Sequence, residues 1–267
     1  MKKTTIIMLM AAMAGISVSC TQKSKPTEFA VHAINDNENP QTMPASIFTG
    51  AADSLAQVLG LEQGIPASMN AILIEKEGEQ ILFDTGNGRE NSQLLPKLEA
   101  LGFAPEDIDL IFITHMHGDH IGGLVKDGKA VFENAKLYIN EKEMNAWMNM
   151  PEERNEQVRT MASVYESQIT KFDIADQLPH GIQPVAAYGH TEGHTVYIVE
   201  DILIAGDIMH GVAIQLENPD ICARFDGNLE QTIESRKAII ALAKEKGLRM
   251  YGMHFPEPHY LDFKTGK

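Results

Sequence analysis

The sequence predicts an α/β protein, a layered sandwich in which strands and helices interleave in two similar halves and the chemistry gathers at strand ends. Three observations carry that prediction. Short apolar β-type runs alternate with helical periodicities along nearly the whole chain. One run, Ile108 to Thr114, is almost continuously apolar, the pattern of a strand buried on both faces, and it delivers His115 at its end. Finally, 267 residues with 43% hydrophobic and 22% charged content suffice for one domain with a sizeable core, without repeats or low-complexity tracts.

The elements follow in order. Phe29 to Ile34 alternates like an edge strand, and the Asn-, Pro- and Ala-rich stretch from Asn35 to Ala52 reads as a linker or the rim of a site. Ala71 to Ile74 and Ile81 to Phe83 flank a turn containing Gly78, a hairpin signal, and the second strand runs into Asp84-Thr85-Gly86. Leu94, Leu95, Leu98 and Leu101 recur at helical spacing, with Gly102 where a C-terminal cap belongs. Lys136 to Ile139 predicts a strand, and Asn140 with Glu143 forms a capping-box-like pair that opens a helix through Trp147. A second helical stretch places Val158, Met161, Ala162, Tyr165 and Ile169 on one face, which reads as packing surface. Strands return at Gln183 to Ala187, Val196 to Val199 and Ile202 to Ile204. A long helix from Leu229 to Lys246 is closed by Gly247, and Arg249 to Met253 is a strand ending at His254.

Met1-Lys2-Lys3, the apolar stretch Ile6 to Val18 and Ser19-Cys20-Thr21 make an export signal whose apolar run is short for a spanning helix. The small residues before Cys20 resemble the lipobox of bacterial lipoproteins, in which that cysteine is lipidated. Residues 1–20 are thus read as signal, 21–28 as tether and 29–267 as the folded domain. The expected location is the periplasm or cell envelope as a lipoprotein, alternatively secretion, with membrane contact only through the lipid. Lipidation of Cys20 leaves Cys222 alone, so no internal disulfide framework is expected and Cys222 reads as buried and inert. A formal net charge of -15 repels a phosphate backbone, which disfavours nucleic acid as a partner and favours a small-molecule substrate; a homodimer is compatible with the sequence.

His115-Met116-His117-Gly118-Asp119-His120 packs three imidazoles and a carboxylate into six residues directly after the buried strand. Alternation puts His115 and His117 on one side of an extended segment, and Gly118 permits a tight turn that brings Asp119 and His120 round to a second position. Imidazole nitrogen and carboxylate oxygen suit zinc and related divalent ions. Gly122-Gly123 lets the following segment pack closely against this turn. His32 and His180, by contrast, have no motif around them.

With His-x-His-x-Asp-His at 115–120, Asp84-Thr85-Gly86, Gly189-His190-Thr191-Glu192-Gly193-His194, Ala205-Gly206-Asp207 and Gly252-Met253-His254-Phe255-Pro256 in that order, the chain resembles the metallo-β-lactamase superfamily. The resemblance implies a four-layer αββα sandwich. It also implies one metal on His115, His117 and His190, a second on Asp119, His120 and His254, and Asp207 bridging both. The ions implied are two divalent metals, zinc before manganese, iron, cobalt or nickel. Two cations sharing a carboxylate and a water lower that water's pKa toward neutrality and poise a bridging hydroxide for attack. Asp119, Asp207 and His210 are the expected catalytic residues. Asp84 is expected to orient a ligand, and His194 is either a support or a packing group.

The stretch Gly206 to Gln215, continuing to Asn218-Pro219 and Phe225-Asp226, most resembles the branch of methyl parathion hydrolases and related lactonases, implying a hydrolase of esters, lactones or phosphotriesters. Acyl homoserine lactonases place a tyrosine three residues after the bridging aspartate; here His210 stands there, read as a hydrogen-bonding support or a proton donor to the leaving group. A glyoxalase II-like thioesterase and an iron-dependent dioxygenase on the same ligand frame are the alternatives. Glyoxalase-type enzymes usually add a C-terminal glutathione-binding segment that is not expected here. Asn39 to Ala52 and Met144 to Phe172 are the expected rim.

Overall fold

The computed structural model describes residues 29–264; the signal, tether and Cys20 readings lie outside them. Strands β1 (Ala30–Asn35), β2 (Asn70–Lys76), β3 (Glu79–Phe83), β4 (Leu110–Ile113), β5 (Lys136–Asn140) and β6 (Ile169–Phe172) stand side by side in chain order. The first three are antiparallel, with β1 at the edge as its alternation predicted. The rest are parallel. Parallel neighbours need crossovers, and helices supply them. α2 (Leu94–Ala100) lies between β3 and β4, the short α3 (Gly118–Ile121) between β4 and β5, and α4 (Glu141–Met148) with α5 (Glu152–Val164) between β5 and β6. Earlier in the chain, α1 spans Ala52–Val58.

A second sheet contains β7 (Gln183–Ala186), β8 (Thr195–Val199), β9 (Ile202–Ile204), β10 (Arg249–Tyr251) and β11 (Tyr260–Asp262), again in chain order. Only β9 and β10 run parallel, and between them lie α6 (Val212–Gln215) and the long α7 (Leu229–Lys246). Gly247, at φ 62, ends α7 in the left-handed conformation that a Cβ disfavours.

Three apolar seams stack these parts into four layers, αββα. Between the sheets, Ile72, Ile74, Phe83 and Phe112 meet Tyr197, Val199, Ile204 and Tyr251. The alternate residues Leu73, Leu82, Ile111 and Ile113 face the first helical layer through Leu94, Leu98, Val158 and Met161. On the far side Val196, Ile198, Leu203 and Met250 pack on Ile239, Ile240 and Ala243 of α7. All four residues of β4 are buried because helices cover one face and the second sheet the other. Each such side chain contributes about 1.5–3 kcal/mol by leaving water.

Four local readings change. Asn140 does cap α4, its Oδ1 accepting from the Lys142 backbone N–H at 2.9 Å, but Glu143 does not complete a capping box; its carboxylate turns inward and is buried. α5 ends at Val164, so Ile169 lies not on its face but on β6, paired with Leu137 of β5; the 3.6-residue period had been carried past the helix end. The stretch 35–52 is not bare loop, since Gln41–Met43 pairs with Ile65–Ala67 and a 3-10 turn covers Ala45–Ile47. The last predicted strand stops at Tyr251 rather than Met253, and β11 adds an edge to β10, a segment of three residues too short to show a period.

Candidate metal centre

The C-terminal ends of β3, β4, β9 and β10 and the turn between β7 and β8 converge on one edge of the sandwich. His115 follows β4, Asp207 follows β9, His254 follows β10, and His190 lies between β7 and β8. His115 Nε2, His117 Nδ1 and His190 Nε2 are mutually 2.9, 3.1 and 3.0 Å apart. On the other side His120 Nε2 lies 3.1 Å from Asp207 Oδ1, while His254 Nε2 lies 3.3 Å from Asp207 Oδ2 and 3.6 Å from Asp119 Oδ2. Asp207 Oδ2 is also 3.3 Å from His190 Nε2 and 3.7 Å from His115 Nε2. The seven residues expected as ligands therefore form two groups with Asp207 between them. His210 joins them more closely than expected, its Nε2 3.2 Å from Asp207 Oδ2 and its ring stacked on His254 at 5.0 Å.

These residues fit divalent cations. Three imidazole nitrogens aimed at one point cannot all donate to one another, so at least some face lone pair to lone pair unless a cation lies among them. Among the described residues, five buried side-chain polar atoms lack a hydrogen-bond partner, and three of them, His120 Nε2, Asp207 Oδ1 and His210 Nδ1, belong to this centre.

The opposite ring nitrogens are held by protein acceptors, the arrangement that orients metal-ligating histidines. His120 Nδ1 is 2.8 Å from Asp84 Oδ2, as expected for an orienting Asp84, and Thr114 donates to both oxygens of that carboxylate at 2.8 and 2.7 Å. His190 Nδ1 meets Asp226 Oδ1 at 2.8 Å, and His254 Nδ1 donates to Ser68 O at 2.8 Å. His194 proves to be a support: its Nδ1 donates to Ala187 O at 3.1 Å, leaving Nε2 to accept from the Asp207 backbone N–H at 3.0 Å. Gly206 allows this, because a Cβ there would lie 2.6 Å from His194 Nε2. At Gly122 and Gly123 a Cβ would strike the carbonyls of Asn87 and Thr85 at 2.2 and 2.1 Å, so the glycines let the 85–88 loop press against the histidine turn.

Charge follows from these contacts. Burial opposes ionisation of Asp207, but the imidazoles of His254, His120 and His210 outweigh it and hold the carboxyl well below its usual range. Burial, then the neighbouring His190, pushes His117 down to about 3, which keeps its lone pair free at neutral pH. Burial also lowers His194 to about 3. His190 is the reverse case: burial opposes its charge, yet hydrogen bonds to Asp207 and Asp226 push it up to about 9. At neutral pH His190 therefore carries a proton, which an arriving cation would have to displace.

Sequence reading gave no site role to Arg236 or Ser68, named Asp226 only within the family resemblance and read Glu143 only as a helix cap. Arg236 is fully buried and donates to the carbonyls of Ile208, Pro219 and Ile221 at 2.6, 2.7 and 2.8 Å, and to Asp226 at 3.4 Å. It thereby ties down the segment that carries His210 and Asp226. Cys222 is buried beside it, as expected, and His32 and His180 pair with Glu75 and with Glu77 and Glu79 away from the centre.

Two cation-ready groups sharing one buried aspartate, at the edge of an αββα sandwich, define a metal-dependent class of protein. Residues 65–246 match the metallo-beta-lactamase superfamily, and the chain belongs to that superfamily of metal-dependent hydrolases. The fold is similar to that of AidC, a dizinc quorum-quenching lactonase, with a TM-score of 0.80 and 24% identity over 88% of this chain and 90% of that one. Hydroxyacylglutathione hydrolase of Klebsiella pneumoniae is 29% identical over 175 residues, 65% of this chain and 57% of that protein. Ribonuclease Z of Clostridioides difficile is 47% identical over 57 residues, 21% of this chain and 17% of that protein. The chain thus spans well under two thirds of the length of these two curated relatives.

Proposed function

We propose that the protein is a dinuclear-metal hydrolase that cleaves ester, lactone or phosphotriester bonds in small molecules. The observation that carries this reading is Asp207, a buried carboxylate facing His120 with one oxygen and His190 and His254 with the other. His115, His117 and His190 would hold one ion, Asp119, His120 and His254 the second, and Asp207 both. When bound, two divalent ions supply Lewis acidity and a nucleophile drawn from water at neutral pH. The nitrogen and oxygen donors, together with the dizinc relative, favour zinc.

The protein's own groups would then do three things. Asp84, Asp226 and the Ser68 carbonyl keep the ring nitrogens of His120, His190 and His254 aimed inward, so no reorientation is needed at the moment of reaction. Asp119, whose side chain is about one-third exposed (31%), stands at the accessible side of the centre, placed to orient the attacking water and to relay its proton. His210 offers a proton or hydrogen bond to the substrate oxygen that leaves or gains charge.

The test is reconstitution of the full chain with zinc, followed by metal analysis, thermal melting and turnover against aryl esters, lactones, phosphotriesters and thioesters. Two ions per chain, a raised Tm and turnover of an oxygen ester, lactone or phosphotriester are expected, because a ligand that binds only the folded state stabilises it. No bound metal and an unchanged Tm would sink the reading. Turnover of thioesters alone selects the second reading, a thioesterase, which the match to hydroxyacylglutathione hydrolase favours. Export to the cell envelope with Cys20 lipidated also belongs to this proposal; it predicts palmitate labelling in cells that Cys20→Ser abolishes.

A further inference from the structure

We propose that Glu143 is a positioning residue that locks the loop bearing His115 and His117 to the loop bearing His190, so that the three-histidine side of the centre is assembled before any ion arrives. The inference rests on the dinuclear reading above. Glu143 is buried at 1% exposure on the first turn of α4 and makes four hydrogen bonds, all as acceptor. Oε1 accepts from the Met116 backbone N–H at 2.9 Å and from Trp147 Nε1 at 2.7 Å. Oε2 accepts from Thr191 Oγ1 and from the Gly193 backbone N–H, each at 2.8 Å.

The position of these donors gives the assignment. Met116 lies between the two ligands His115 and His117, and Thr191 and Gly193 follow the ligand His190, so one carboxylate grips the backbone on both sides of the gap that a cation would span. Trp147 extends the grip to a ring: its indole stands edge-on to His117, centroids 5.6 Å apart and planes at 89°. The two segments press together without slack, since a Cβ on Gly193 would lie 2.3 Å from the Glu143 backbone nitrogen. None of the four Glu143 hydrogen bonds reaches the other side. His120 is held through Asp84 and His254 through Ser68, and neither support touches Glu143. A carboxylate that merely stabilised the fold would not be expected to separate the two ion sites; one that positions the three-histidine side must.

The experiment uses the full chain stripped of metal, titrated with zinc against a chromophoric chelator while the emission of Trp147, the only tryptophan, is followed. In a His254→Ala background the three-histidine side is the one measured. Adding Glu143→Gln there should raise the zinc Kd by roughly 10–100-fold, the usual cost of losing an outer partner, and should shift the Trp147 emission transition with it. In a His117→Ala background the other side is measured, and Glu143→Gln should leave its Kd within about twofold, because none of the Glu143 hydrogen bonds reaches Asp119, His120 or His254. Thr191→Val, which removes one donor and keeps the carboxylate, should weaken the three-histidine side several-fold and serves if Glu143→Gln does not fold. Unchanged zinc affinity in the His254→Ala background, or equal loss in both backgrounds, overturns the proposal. If wild-type protein binds two ions and these variants behave as wild type, only the role of Glu143 fails; if wild type binds fewer than two, the dinuclear reading falls as well and takes this inference with it.

Discussion

The two sides of the candidate centre are built by different mechanics. On the side of Asp119, His120 and His254, support reaches the ligand rings themselves: Asp84 grips the His120 imidazole, and the Ser68 carbonyl grips that of His254. On the three-histidine side, Asp226 grips the His190 ring and Thr114 Oγ1 lies 3.2 Å from His115 Nδ1, while the backbone between His115 and His117 is held through Glu143 and the His117 ring rests against Trp147. A ring held by its own carboxylate has its tautomer and direction set at once; a ring held through its backbone has only its position set, and the cation or a neighbour must finish the orientation.

Asp207 belongs to both sides, so its replacement should break the comparison outright. Asp207→Asn keeps the size and, on the dinuclear reading proposed above, removes the anion that would offset the repulsion of two bound cations. Metal content should fall from two ions toward one, measured by elemental analysis, and turnover should fall by more than the roughly 100-fold expected for loss of an outer partner. Far-ultraviolet circular dichroism should be unchanged, because the apolar seams and not this residue carry the fold.

Asp84→Asn comes next and addresses one side alone. Asp84 sits at φ 58, a left-handed conformation that Asn tolerates better than most residues, so the backbone should survive. Its Oδ1 can still accept from the Thr114 N–H, but an amide nitrogen in place of Oδ2 would face the His120 N–H and the Thr114 hydroxyl. Zinc affinity should drop roughly 10–100-fold at the Asp119, His120 and His254 side and hold at the other. Equal weakening of both sides would show that they are not independently supported.

Asp226→Asn is the matching change on the three-histidine side, with a smaller effect on metal, because Glu143 still holds the loops of all three ligands. It also removes the charge beside Arg236, so a stability loss of about 1–3 kcal/mol should appear in denaturant unfolding of the metal-free protein. His210→Gln should have the smallest effect. Both ions should remain, and only kcat or its pH dependence should shift; loss of one ion would make His210 a ligand and redraw the centre.

How far the sequence reached can be judged from particular residues. The buried strand β4, the hairpin of β2 and β3, and the helix from Leu229 to Lys246 were legible, because their apolar periods are long enough to see and their ends carry glycine or Asn signals. Strand β11 and the ribbon of Gln41–Met43 with Ile65–Ala67 were not, since three residues show no period and their pairing is decided by partners far along the chain. Ile169 was misplaced for a related reason: a helical period does not announce where the helix stops.

The sequence by itself pointed to His115, His117, Asp119 and His120, because such a run after a buried strand is a local chemical statement, and the resemblance of the later motifs to a known superfamily added His190, Asp207 and His254. Only the tertiary structure decided what holds them. Glu143 satisfies the local rule for a helix cap, and nothing in the neighbouring letters says that its carboxylate turns inward to meet Met116, Thr191 and Gly193. Asp226 reaches His190 across 36 positions and Ser68 reaches His254 across 186. A hydrogen bond is specified by distance and direction in space, to within a few tenths of an ångström, and separations of that length along the chain are closed only when the two sheets pack.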